Sequence, residues 1–115
     1  MLVLLHDKVV GRIDMADSFI QRLKGLTWRR TMPNDAGVLF LHCRFIHTNF
    51  MFMSIDVVFL DSSYRVVTIA KQVRPWRIVS SLQAVHTLEL AAGKCDRLHL
   101  QKGDQLQFYD PALES

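Results

Sequence analysis

The sequence predicts a small single-domain α+β fold that is mainly β, with one helix in the N-terminal half and a short helical turn near the C-terminus. Its 115 residues are enough for one domain with its own hydrophobic core. Short runs of β-branched and aromatic residues alternate with clusters of turn-forming residues, a pattern typical of strands. One segment shows helical periodicity instead, because Phe19, Leu23 and Leu26 recur at spacings of four and three.

The most apolar run, His47–Asp61, contains the strand around which we expect the chain to be organised. Within it, Ile55–Leu60 is β-branched and aromatic and is followed by turn-forming residues, which predicts a buried strand. A carboxylate at the start of such a strand costs on the order of several kcal/mol unless it is paired or hydrogen-bonded. We therefore predict that Asp56 accepts hydrogen bonds, from backbone N–H groups near the strand entrance or from Arg22 on the helix.

Six further strands are expected. Leu2–Leu5 and Val9–Ile13 should form a hairpin across three polar residues, and Arg65–Val73 should pair antiparallel with the central strand because their connection is short. The remaining predicted strands are Val38–Leu41, Ala84–Ala91 and Gln105–Tyr109.

Two helical segments and one loop complete the prediction. The first helix begins at Asp17 or Ser18, either of which can cap it, and ends between Leu26 and Arg30 because Pro33 forbids continuation. Its outward face carries basic residues and is either a solvated surface or a patch that docks an anion or a partner: Arg22, Lys24, Arg29 and Arg30. Lys94–Leu100 should form one helical turn, whereas Arg74–Ser81 has no clean period and is predicted to be a loop.

Composition narrows the class of protein. The formal net charge of +3 is small. The sequence lacks the concentrated basic stripe of a nucleic-acid binder, so we expect no binding of nucleic acid. No apolar run approaches the roughly 20 residues that span a bilayer, and the N-terminus lacks the basic region of a signal peptide. Cys43 and Cys95 show no motif spacing, which favours reduced thiols in a cytoplasmic protein.

Four motifs occur in an order and approximate spacing that resemble the DUF192 (UPF0127) family, from about Ala16 to Phe108. They are Arg22-x-x-Gly25-Leu26, His47-Thr48-x-x-Met51-x-x-x-Ile55-Asp56-Val57-Val58-Phe59-Leu60-Asp61, Leu88-Glu89-Leu90-x-Ala92-Gly93 and Gly103-Asp104. The resemblance implies a small sandwich or jelly-roll-like β domain with one or two helices. Family members often have glycine where this chain has Phe50 and proline where it has Ser54, so the backbone before Asp56 is expected to differ. Because the family is functionally uncharacterised, the resemblance implies an architecture and a site but no reaction.

The polar residues of these motifs and one methionine form the candidate ligand-binding set: Arg22, His47, Thr48, Met51, Asp56 and Glu89. Three interpretations stay open. The side chains satisfy one another and fix the fold, or they orient a small molecule or a protein partner in a small polar and apolar pocket near the His47–Asp56 stretch. In the third, His47 acts with Asp56 or Glu89 as a general base in a small hydrolase-like enzyme.

We predict a non-catalytic binding or accessory module, with the hydrolase as the alternative. No Gly-x-Ser-x-Gly elbow and no phosphate-binding glycine loop is present. Five histidines and two cysteines lack the spacing of a metal site, so we expect neither a metal nor a cofactor. The partner, an unknown small molecule or protein, and the oligomeric state are not specified by the sequence.

Overall fold

The computed structural model describes residues 2–6, 8–16, 36–48 and 53–110. The predicted N-terminal helix, with Arg22 and its other basic residues, and Met51 lie outside these residues. Within the described part, no helix has the length and apolar character needed to cross a membrane.

The described residues form nine strands and one short helix, which confirms the mainly β prediction and the C-terminal helical turn. The strands are β1 Leu2–Leu5, β2 Lys8–Ala16, β3 Ala36–Phe40, β4 Phe45–His47, β5 Ile55–Leu60, β6 Val66–Val73, β7 Ile78–Ser80, β8 His86–Ala91 and β9 Leu106–Tyr109, and the helix is α1, Lys94–Arg97. One prediction is wrong in part, because the supposed loop 74–81 contains β7. Three residues are too few for a period to show, and the partner strand β4 is equally short.

Seven strands form one sheet in the order β6-β5-β8-β3-β2-β1-β9, and β4 pairs with β7 in a separate two-stranded ribbon. The pairs are antiparallel except β2–β3, which is parallel. The predicted hairpin of β1 with β2 and the antiparallel pairing of β5 with β6 are both confirmed.

The two edge strands of the large sheet meet at one end. Arg65, just before β6, forms a bridge with Gln105, just before β9. The backbone N–H of Val66 donates to Asp104 O over 2.8 Å, and Leu106 N–H donates to Tyr64 O over 3.1 Å. The sheet therefore curls back on itself, and this strand order does not confirm the sandwich or jelly-roll arrangement.

Apolar side chains form one cluster on each face of the curled sheet. The inner cluster takes residues from all seven strands of the large sheet, among them Val3, Ile13, Leu39, Val58, Val66, Leu88 and Leu106. The outer cluster is smaller and includes Val38, Val57 and Phe59, together with Ile46 from the ribbon. All residues of β5 and of β8 are buried because both faces of these central strands are covered.

Candidate functional site

The Asp56 carboxylate is fully buried and accepts two backbone hydrogen bonds. Its Oδ1 accepts from Gln72 N–H and its Oδ2 from Cys95 N–H, each over 2.9 Å. The prediction that this side chain is buried and hydrogen-bonded is confirmed. Both donors are backbone N–H groups, as predicted; they lie in β6, opposite the start of β5, and in α1, while Arg22 lies outside the described residues.

A bulge in β6 explains the first of these bonds. The register passes from the pair Ile55–Val73 to the pair Val57–Ala70, so two residues of β6 stand opposite the single residue Asp56. One of them, Gln72, has a φ of 51°, a left-handed conformation that is unfavourable for a residue with a Cβ atom. The carboxylate accepts the hydrogen bond of this residue and so stabilises the bulge.

The second bond, from Cys95 N–H to Asp56 Oδ2, lies at the N-terminus of α1. The first N–H groups of a helix have no partner inside the helix, and a side chain at the preceding residue usually accepts one of them. Here that residue is Gly93, whose φ is 86° and which has no side chain to do so. Asp56 supplies the acceptor from β5 instead, so one carboxylate joins β5, the β6 bulge and α1.

Thr48 is also buried, and its polar atoms bind the backbone of residues 74–77. Its hydroxyl donates to Arg74 O over 2.6 Å and accepts from Arg77 N–H over 2.8 Å. Its own N–H donates to Arg77 O over 2.8 Å, and Trp76 N–H donates to its carbonyl over 3.1 Å. Thr48 thus holds the turn in which Trp76 adopts a φ of 64°.

The two motif carboxylates lie on opposite faces of the sheet. Asp56 pairs with Leu90 across the β5–β8 ladder and Glu89 pairs with Val57, so alternation places Asp56 toward the inner cluster and Glu89 toward the outer one. His47 is exposed on β4. Among the described residues, neither carboxylate forms a hydrogen bond or an ion pair with His47.

Glu89 has an unusual environment for an acid. Its side chain is 3% exposed, and its Oε2 accepts no hydrogen bond from the residues that the structure describes. Burial raises the pKa of this carboxyl group to about 8. Burial therefore favours the protonated, neutral form of this group.

The two cysteines are free, buried thiols, as predicted for a reduced pair. Cys43 belongs to the outer cluster and Cys95 to the inner one. Burial raises the pKa of Cys95 to about 12, and the negative charge of Asp56 is the second contribution to this rise. The thiol therefore stays protonated. Within the described ranges, no group of three or more His, Cys, Asp or Glu side chains is placed to hold a metal.

The β4–β7 ribbon carries an exposed surface that the sequence prediction missed. In an antiparallel pair, opposite residues point to the same side, and the pairs here are Phe45–Ser80, Ile46–Val79 and His47–Ile78. Ile46 is buried in the outer cluster, so the other side of the ribbon faces solvent. We call this exposed side, formed by Phe45, His47, Ile78 and Ser80, the ribbon face.

Large apolar side chains are concentrated on and around the ribbon face. Of six exposed large hydrophobic residues among those described, four lie within β4 or β7 or two residues from β7: Phe45 (53% exposed), Trp76 (58%), Ile78 (70%) and Leu82 (88%). A sequence signal existed for part of this surface, since Arg74-Pro75-Trp76-Arg77 interleaves cations with an aromatic residue.

The surroundings of the ribbon face are basic. Arg44, Arg74 and Arg77 are all exposed. The two segments that form the ribbon and its turn, residues 44–48 and 74–81, contain no aspartate or glutamate. The ribbon therefore combines an exposed apolar face with exposed arginines near the ends of its strands, in two segments that contain no acidic residue.

Comparison with known proteins gives one consistent result. A family model for DUF192, described as "Uncharacterized ACR", matches residues 3–108. A UPF0127 protein of Pyrococcus horikoshii is 35% identical over 103 residues, which cover 86% of this chain and 89% of the relative. A UPF0127 protein of Pyrococcus abyssi is 38% identical, with coverage of 85% and 86%. A crystal structure from Sinorhizobium meliloti 1021, described as a "putative transcription regulator", has a TM-score of 0.80 and 26% identity, with coverage of 92% and 89%.

Proposed function

The chain belongs to the DUF192 family, and we propose that it acts as a non-catalytic binding or accessory module that uses the ribbon face beside His47. The observation that carries the proposal is the exposure of Phe45, Trp76 and Ile78 on and next to one short ribbon. Contiguous exposed apolar surface with aromatic and arginine side chains is typical of surfaces that bind other molecules.

The architecture supports a pre-formed surface. The buried Ile46 joins the ribbon to the outer cluster, and Thr48 fixes the turn before β7 through its hydrogen bonds to residues 74–77. A surface held in place before binding loses less conformational entropy when a partner arrives. An open face of this kind suits a protein partner better than a small molecule, because small-molecule sites are concave.

The six motif residues divide by role in this proposal. His47 belongs to the ribbon face, and Thr48 positions the turn that supports it. Asp56 instead joins β5, the β6 bulge and α1. Glu89 lies on the opposite side of the sheet from Asp56 and is assigned no ligand. Arg22 and Met51 stay candidates for ligand binding through the family resemblance.

The hydrolase alternative requires His47 to contact a carboxylate. No such contact is found in the part of the chain that the structure describes, and both candidate carboxyl groups are buried while His47 is exposed. No observation favours this alternative over a binding module.

A capture experiment with matched variants tests the proposal. The wild type, the double variant Phe45→Ser/Ile78→Ser and the control Val9→Ser are immobilised and incubated with extract of the source cell. Val9 is a suitable control because it is an equally apolar residue, 58% exposed, on β2. We expect a defined set of proteins to bind the wild type and Val9→Ser and to be lost from the double variant. Equal binding by all three would contradict the proposal.

A further inference from the structure

The hydrogen-bonding pattern of the ribbon leaves one strand edge open. Thr48 N–H donates to Arg77 O, and Ser81 N–H donates to Arg44 O over 3.0 Å, so these two pairs are hydrogen-bonded pairs of the ladder. Because such pairs alternate with non-hydrogen-bonded ones, Phe45–Ser80 and His47–Ile78 are non-hydrogen-bonded. The N–H and C=O groups of Ile78 and Ser80 therefore point away from β4.

As far as the described residues show, these groups lie along an edge of β7 that no strand covers. Among the described strands, β7 pairs only with β4. Ile78 is 70% exposed and Ser80 is also exposed, so no described residue covers the strand. The three residues of β7 include neither a charged side chain nor a proline, the devices with which proteins usually block an open edge.

The opposite edge of the ribbon, formed by β4, is less available for pairing with an added strand. The thiol of Cys43 donates to Phe45 O over 2.9 Å, so one of the outward-pointing carbonyl groups of β4 already has a partner. An incoming strand would have to compete with this contact at β4. The edge of β7 is thus the better place for a third strand.

We propose that the ribbon binds an extended, acidic segment of a partner protein, which adds as a third strand beside β7; the inference rests on the proposed function and names its partner class. Strand addition of this kind gains main-chain hydrogen bonds from the open edge and specificity from alternate side chains. The apolar side chains of the segment would lie beside Ile78 and Phe45 on the ribbon face.

The arginines near β7 favour an acidic partner segment. Arg74 and Arg77 lie before β7, and Arg44 lies opposite Ser81 at its end, with no acidic residue in either segment. Carboxylates on an incoming strand would approach these arginines and form charge-assisted hydrogen bonds. A second copy of this chain would instead bring the same arginines and a net charge of +3 toward each other, so an acidic partner is favoured over self-association.

Three synthetic peptides test the inference. The first, of about ten residues, alternates valine and glutamate. The second replaces each glutamate with lysine, and the third keeps the first sequence but carries N-methyl groups on the backbone nitrogens of one strand edge. Each is titrated into the isotopically labelled protein, and amide chemical shifts are followed together with the dissociation constant.

We expect the acidic peptide to bind and to shift the amide signals of Ile78 and Ser80 most. N-methylation and lysine replacement should each weaken binding at least tenfold. The variant Arg74→Glu/Arg77→Glu should lose binding at least tenfold, whereas Lys8→Glu/Arg12→Glu, which changes the net charge equally at two exposed positions of β2, should keep it.

Several outcomes would overturn the inference, and they can be told apart from failure of the proposed function. No binding of the acidic peptide, equal binding of the lysine peptide or undiminished binding of the N-methylated peptide would each reject the acidic strand. Concentration-dependent self-association abolished by Ile78→Ser would assign the edge to a second copy, and tighter binding of a single-stranded oligonucleotide would assign it to nucleic acid. If the capture of proteins still depended on Phe45 and Ile78 in any of these cases, the binding module would survive without this partner.

Discussion

The Oδ2 atom of Asp56 accepts a hydrogen bond from the backbone N–H of Cys95, a residue 39 positions later in the chain, over 2.9 Å. Its Oδ1 atom accepts the N–H of Gln72 in the β6 bulge. The acid in the middle of the most apolar stretch is therefore satisfied by two backbone N–H groups, one buried and one partly buried. This arrangement assigns Asp56 to the fold, while binding is proposed for the exposed ribbon face.

Removing the Thr48 hydroxyl should loosen the turn that leads to β7. In Thr48→Val, Arg77 N–H and Arg74 O both lose a partner at a partly buried position, and we expect the free energy of unfolding to fall by about 1–3 kcal/mol. Trypsin should also cleave after Arg77 faster than in the wild type. Thr48→Ser keeps the hydroxyl and should restore most of the stability and protection; a valine variant as stable as the wild type would show that these bonds are dispensable.

His86 should make stability depend on mildly acidic pH. The ring is buried, its Nδ1 accepts the backbone N–H of His42 over 3.1 Å, and Tyr64 stacks on it at 5.0 Å between centroids. Burial, and then the nearby His42, lowers the pKa of His86 below its usual 6.5. A protonated Nδ1 would be a donor and would lose the bond to His42.

The direction of the pH dependence of stability follows from which state of the protein binds the proton more readily. Because the folded pKa lies below that of the unfolded chain, the unfolded state binds the proton first, and the stability present above about pH 6.5 is lost as the pH falls toward the folded pKa. In His86→Asn the amide oxygen replaces the acceptor but does not titrate. Chemical denaturation at several pH values between about 7 and 5 should show the wild type losing stability faster than the variant; parallel losses would exclude this role for His86.

Glu89 should make the stability of the fold depend on pH in the opposite direction to His86. Burial raises its folded pKa to about 8, above the reference value of 4.5, so the folded state holds the proton more tightly. The contribution of Glu89 to the free energy of unfolding is most favourable below about pH 4.5 and is lost as the pH rises through 8. Because one pKa unit corresponds to about 1.4 kcal/mol, the free energy of unfolding should fall by an amount on the order of a few kcal/mol.

The variant Glu89→Gln isolates this effect because glutamine has nearly the same shape and no charge. Its free energy of unfolding relative to the wild type should increase steadily between about pH 5 and pH 8. A difference that stays constant with pH would mean that the buried carboxyl group does not titrate in this range.

Long, strongly patterned strands could be predicted from the sequence, whereas the short ribbon could not. Ile55–Leu60 has the same bounds in the prediction and in the structure, because two-sided burial imposes an unbroken run of β-branched and aromatic residues. The strands Phe45–His47 and Ile78–Ser80 have three residues each and pair across more than thirty positions, so neither shows a period nor a turn signal.

The geometry of the polar residues depended on register, which the sequence does not reveal. A shift of one residue between β5 and β8 would place Glu89 on the same face as Asp56. The partners of Asp56 were equally hidden, because the left-handed residue of the bulge is Gln72, where a sequence pattern would lead one to expect glycine. Burial and hydrogen bonding of the carboxylate, by contrast, followed from the cost of burying a charge.

One measurement tests most directly whether Asp56 serves the fold and the ribbon face serves binding: the free energy of unfolding of Asp56→Ala and Ile78→Ser compared with the wild type. Asp56→Ala leaves the buried N–H of Cys95 and the partly buried N–H of Gln72 without an acceptor and should cost about 2–4 kcal/mol, with Asp56→Asn costing less because one acceptor oxygen remains. Ile78→Ser removes a side chain that is 70% exposed and should change stability by less than about 0.5 kcal/mol. An Asp56→Ala variant as stable as the wild type, or an Ile78→Ser variant that unfolds readily, would contradict this division of roles.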